Sequence, residues 1–144
     1  MNRILLIIFI LSSLNLSAQT QPRLVLPIGH TSSVSSAVFS PDRKLVLTAS
    51  DDNTSRIYEV ASGKELQVLR GSNAVFSPDG KLALTASEDN ISRIYEVATG
   101  KELQVLSGHT ERIRSAVFSP DGKLALTASG DNTSRVYEVA TGIG

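Results

Sequence analysis

Short runs of apolar and polar positions, cut by turn residues, follow one another along most of the chain, which is the spacing of strands rather than of helices. Ser33 to Phe39 alternates into an apolar end. Ser40-Pro41-Asp42 then begins a tight turn, with proline where φ near about −65° is wanted. A second strand is predicted over Leu45 to Ser50, a polar turn at Asp51-Asp52-Asn53 and a third strand over Ser55 to Val60. Ala61-Ser62-Gly63 leads to a fourth strand over Glu65 to Leu69. Asn53 tolerates positive φ, so it suits the second turn. The first turn is completed by Gly80 and Gly122 in later copies but by Arg43 here. A left-handed arginine at that place would cost roughly 1 kcal/mol.

The pattern repeats. Ala-Val-Phe-Ser-Pro-Asp occurs at Ala37, Ala74 and Ala116, at spacings of 37 and 42 residues, the period range of repeat architectures. Between Ala74–Gly100 and Ala116–Gly142 only Glu88/Gly130, Ile91/Thr133 and Ile94/Val136 differ. Every aromatic residue after the first stretch belongs to the repeat: Phe39, Phe76 and Phe118 at one position, Tyr58, Tyr95 and Tyr137 at the other. Four short strands per period of about 40 residues make the blade of a β-propeller. The fold class is therefore all-β, with about three blades of four antiparallel strands, against roughly four to eight in a closed propeller. An incomplete or open propeller is expected, with self-association, such as two chains making six blades, as one way to complete it.

The second copy is short: Gly71-Ser72-Asn73-Ala74 stands where the others run from Gly29-His30 to Ala37 and from Gly108-His109 to Ala116. This removes the histidine and the first half of the inner strand. The repeats divide as 29–70, 71–107 and 108–144, with 19–28 a preceding strand segment whose Arg23 to Leu26 could supply a fourth strand to the third blade. The last copy stops at Gly144 where the preceding one continues Lys101-Glu102-Leu103-Gln104-Val105-Leu106, so its outer strand is expected to be missing. Near-identical tandem copies are prone to recombine, which accounts for both irregularities.

Residues 1–18 break the alternation. Arg3, the apolar run Ile4 to Leu11 and Leu16-Ser17-Ala18 read as a cleaved signal peptide, the run being too short for a bilayer span of roughly 20 residues. A retained anchor and a buried helix are the alternatives. The mature chain is expected to be secreted or periplasmic, with no membrane span after cleavage.

Composition removes several functions. Lys+Arg 14 balances Asp+Glu 14, so there is no basic footprint for nucleic acid. Cysteine is absent, which excludes disulfides, thiolate metal sites and thiol nucleophiles. Asp51-Asp52-Asn53-Thr54-Ser55 offers oxygens at loop spacing but lacks the glycine and terminal glutamate of a calcium loop, and reads as an Asx turn. No cofactor and no metal are expected. Arg56, Arg93 and Arg135, with Lys64-Glu65 and Lys101-Glu102, read as solvated or paired within the repeat.

Gly29-His30, Val34 to Asp42, Ser50-Asp51-Asp52 and Tyr58-Glu59, met again in the later copies, resemble the frame of the WD-repeat β-propeller family, with Tyr-Glu in place of Trp-Asp. His30, Thr48 and Asp52, and His109, Thr127 and Asp131, contain the residue types of a catalytic triad. The resemblance implies instead a structural hydrogen-bond network within each blade, joined at the Trp position by Tyr58 and Tyr137. Thr85, Asp89 and Tyr95 form its counterpart without histidine, expected to be open and weaker. No catalytic residue is assigned. The resemblance implies a non-catalytic scaffold presenting loops to a protein or peptide partner; the alternatives are a truncated fragment of a longer array with no activity of its own and, less favoured, a propeller enzyme. The copies differ beside the loops: Ser32, Ser33 and Ser35 against Glu111, Arg112 and Arg114, and Asp51 against Glu88 and Gly130. Asp51, Glu88, Glu111, Arg112 and Arg114 are thus the candidate partner-binding rim.

Overall fold

The computed structural model describes residues 29–140. The expected signal peptide 1–18 and the strand segment 19–28, including Arg23 to Leu26, lie outside the described residues.

Short alternating runs between turn formers give strands throughout. The first sheet contains β1 (Val34–Phe39), β2 (Leu45–Ser50), β3 (Thr54–Glu59) and β4 (Glu65–Arg70), in that spatial order and all antiparallel. The second repeats the arrangement with β5 (Asn73–Phe76), β6 (Leu82–Ala86), β7 (Ser92–Glu96) and β8 (Glu102–Leu106). The third has β9 (Ile113–Phe118), β10 (Leu124–Ser129) and β11 (Ser134–Glu138), and no outer strand among the described residues. These are three propeller blades in an open array.

The turns obey the local chemistry. Asn53, Asn90 and Asn132 all have φ between 62° and 67°, the left-handed region that asparagine enters most readily of the non-glycine residues. Arg43 is left-handed too, at φ 62°, where Gly80 and Gly122 have φ 74° and 73°. Blade 1 therefore bears the backbone cost expected of an arginine there. Ser40, Ser77 and Ser119 each donate to an aspartate two residues on at 2.6 Å, bracing all three turns alike.

Blades pack face to face through two cores of one design. Leu47, Ala49, Ile57 and Leu69 of blade 1 meet Ala74, Ala83, Tyr95 and Val97 of blade 2. Leu84, Ala86, Ile94 and Leu106 of blade 2 meet Ile113, Ala116, Ala125 and Val139 of blade 3. Each large aliphatic side chain so enclosed contributes about 1.5–3 kcal/mol. The inner strands β1, β5 and β9 lie side by side, and Phe39, Phe76 and Phe118 line one apolar cleft along them.

Register shifts at the start of β1 and β9 leave Ser35 and Arg114 unpaired as bulges, so that their side chains are re-aimed. β5 begins at Asn73, beyond the equivalent position, and pairs with β6 without a shift.

Candidate functional site

The loops entering the inner strands and the polar turns after the second strands share one rim. The Asp51 amide donates to Ser33 O at 2.9 Å, and the Gly130 amide to Arg112 O at 3.0 Å. Beneath each contact lies a polar cluster. In blade 3, His109 Nδ1 is 2.8 Å from Asp131 Oδ2 and Nε2 is 2.8 Å from Thr127 Oγ1. An ionised carboxylate only accepts, so Nδ1–H donates to Asp131 and Nε2 accepts from Thr127. The same bonds recur in blade 1 among His30, Asp52 and Thr48, at 3.0 and 2.8 Å.

Both aspartates are held well below the ordinary carboxylate range. For Asp52 desolvation works the other way and is outweighed by the Thr54 hydroxyl, the Thr31 and Thr54 amides and His30. For Asp131 the Thr133 hydroxyl is the main cause, aided by His109 and the Thr110 and Thr133 amides, with burial opposing. Thr127 is 1% exposed, so in this conformation its hydroxyl is closed to any electrophile, and the arrangement suits bracing the loop rather than nucleophilic attack.

The tyrosines stand apart from these clusters, in contrast to the expectation that they join them. Tyr137 donates to Ser107 O at 3.0 Å, because its place on β11 brings the ring under the loop rather than beside Thr127. Tyr58 and Tyr95 are buried in the blades, and burial raises both phenols above their ordinary range.

Blade 2 is open at one end only. Without an imidazole, the buried Thr85 Oγ1 has no hydrogen-bond partner. Asp89 instead binds Arg93 through two bonds, Nη1 at 3.2 Å and Nη2 at 2.7 Å, and Arg70 Nη2 approaches it at 3.1 Å from blade 1. For Asp89 desolvation is the largest single influence and works upward, but Arg93, Ser87 and Arg70 together outweigh it and hold the carboxyl low. Arg93 is itself buried, whereas Arg56 turns to Glu65 at 3.0 Å and Arg135 is exposed. Arg93 was expected to be solvated or paired within the repeat, and it is paired there, but sequence reasoning did not name Asp89 as its partner and missed Arg70; the signal was an aspartate kept in a copy without the histidine.

The candidate rim residues Asp51, Glu88, Glu111, Arg112 and Arg114 are all exposed. Arg112 Nη1 lies 3.7 Å from Glu88 Oε1, joining blades 2 and 3, and Glu111 and Arg114 both approach Gly130. Asp51 lies on the same rim at blade 1 and forms no ion pair with the other four.

The family model described as WD domain, G-beta repeat, matches residues 21–59, 63–96 and 100–138, most of the chain. The chain belongs to the WD-repeat family. No curated protein matches it. WD repeats indicate a scaffold for protein interactions, and WD-repeat proteins are generally non-catalytic. Within this WD-repeat array, Gly71 occupies the corner that the histidine loop fills elsewhere. Its φ is 140°, and a Cβ there would lie 2.7 Å from Thr85 Cβ.

Proposed function

We propose that the chain is exported and acts as a non-catalytic scaffold whose loop rim captures a protein or peptide segment. The observation that carries this is the gathering of Ser33, Asp51, Glu88, Glu111, Arg112 and Arg114 on one rim, because these are positions at which nearly identical copies diverge. Beneath them the His–Asp–Thr clusters brace the loops, so a partner would meet a preorganised surface. Arg114 has no carboxylate within 4.0 Å among the described residues, and Arg112 holds Glu88 only loosely between exposed side chains. Both guanidiniums are available as planar donors to an acidic or carbonyl-rich segment, and arginine is enriched at binding hot spots.

Replacing both arginines with serine, the chemistry of Ser33 and Ser35 in blade 1, tests the reading. Capture of a partner from a periplasmic or extracellular extract should weaken with no change in melting. Unchanged capture would leave the rim as drifted surface. Export is supported by Arg3, the apolar run and Ala18, and N-terminal sequencing should find a chain beginning at Gln19; an intact Met1 chain recovered from the cytosol would refute it.

A further inference from the structure

The two end faces of the array are unlike each other, and each matches half of the interface the chain already makes twice. On the trailing side, blades 1 and 2 cover Leu47 and Leu84 to 1% exposure or less, and Ile57 and Ile94 likewise. Their counterparts on blade 3, Leu126 and Val136, are 43% and 64% exposed. On the leading side, Ala74 and Ala116 are buried, as are Val97 and Val139. Their counterparts on blade 1, Ala37 and Val60, are exposed. Blade 3 thus presents the surface that blade 2 buries against blade 3, and blade 1 presents the surface that blade 2 buries against blade 1.

We infer that the open faces are covered by a second copy of this chain, docked head to tail at both ends so that two copies close a six-bladed ring. The apolar fit follows the one seen inside the molecule: Leu126 and Ala128 repeat Leu84 and Ala86, Val136 takes the place of Ile94, and Val46 stands where Ala83 and Ala125 lie on the other leading faces. Each internal interface also makes a polar contact of its own, and the donor of each has a counterpart on the open face of blade 3. Between blades 2 and 3, Asn90 Nδ2 donates to Thr110 O at 3.2 Å; Asn132, the matching residue on blade 3, is exposed and would meet the Thr31 carbonyl of the second copy. Between blades 1 and 2, Ser55 Oγ donates to Gly71 O at 2.8 Å; Ser134 is exposed and would meet the Gly29 carbonyl of the second copy.

A head-to-tail contact either closes into a ring or runs on as a filament, depending on its rotation. Three blades of a six-bladed ring turn through half a circle, so a copy related by a two-fold axis supplies the other half. Six lies within the roughly four to eight blades of closed propellers. Closure also brings the exposed Phe39 of each copy next to an inner strand on both sides, as Phe76 already is.

Head-to-tail docking makes a demand that a symmetric face-to-face contact does not. Leu126→Glu spoils only the trailing face and Ala37→Glu only the leading face, at positions exposed in the single chain. In sedimentation equilibrium the unaltered chain should have the mass of two chains and each variant the mass of one. An equimolar mixture of the two variants should recover the two-chain mass, because the trailing face of one and the leading face of the other are intact. Val136→Lys and Val60→Lys form a second pair with the same expectation, and circular dichroism confirms that each variant is folded. A one-chain mass for the unaltered chain, a variant that pairs with itself as well as the unaltered chain does, or a series of ever larger species would each overturn the ring. The Arg112→Ser, Arg114→Ser double variant should keep the two-chain mass, so failure of the rim reading and failure of the ring are separately visible.

Discussion

Blades 2 and 3 are built from almost the same sequence, yet they satisfy the aspartate of the polar turn by different means. In blade 3 an imidazole lies between Asp131 and Thr127, and all three side chains are bonded. In blade 2 the loop is too short to bring a histidine, and two arginines converge on Asp89 while Thr85 goes without a partner. Loop length, rather than strand sequence, decides which group meets the carboxylate. An arginine on a long flexible stem can cover for a missing neighbour. A threonine hydroxyl is fixed within a bond of the backbone and cannot search for another.

The largest effect should fall on the substitute cation. Arg93→Met removes two charge-assisted bonds from a buried guanidinium, and hydrogen bonds to charged groups contribute about 1.5–3 kcal/mol. Its twin Arg135→Met, at an exposed site, should stay within about 0.5 kcal/mol of the unaltered chain. Denaturant unfolding of the pair checks this, and equal losses would mean that Arg93 does not replace the imidazole.

A smaller contrast lies in the threonines. Thr127→Val leaves the buried His109 Nε2 unsatisfied at nearly constant shape and should cost about 1–3 kcal/mol. Thr85→Val deletes a hydroxyl that has no partner, so it should be neutral or stabilising. The comparison breaks if both changes cost the same in denaturant melts.

The smallest difference concerns the proline turn, where blade 1 departs from blades 2 and 3. Arg43→Gly should relieve a left-handed arginine and raise stability by up to about 1 kcal/mol, since glycine offsets part of the gain through its freer unfolded chain. Thermal melting at matched pH reads it, and a lower melting temperature would show that Arg43 makes a contact outweighing its backbone cost.

Local features were the legible ones. Strands at Leu45–Ser50 and around Ser55 follow from short runs bounded by turn residues, and the positive φ of Asn53 and Gly80 from turn chemistry, since both depend on near neighbours in the chain. Which loop-flanking positions differ between copies was legible directly from the repetition. Arg70 and Arg93 were not, because where a long side chain comes to rest depends on groups brought together only by the fold. Arg56 and Arg93 occupy equivalent positions and each reaches a turn aspartate and an outer-strand glutamate, but Arg56 is close to Glu65 at 3.0 Å and 4.0 Å from Asp52, whereas Arg93 is closest to Asp89 at 2.7 Å and 3.4 Å from Glu102. The tyrosines were misplaced for a related reason: filling the tryptophan position of the frame does not carry tryptophan's hydrogen bond with it, since a phenolic oxygen projects differently from an indole nitrogen.

Gly71 limits what substitution can do in blade 2. Its backbone stands against Thr85, in a conformation that L side chains rarely adopt and with no room for a Cβ. No single substitution at this position can place an imidazole against the threonine. With so short a loop, substitution can tune only how Arg70 and Arg93 hold Asp89; an imidazole on Thr85 requires a longer loop, of the length that the flanking copies carry.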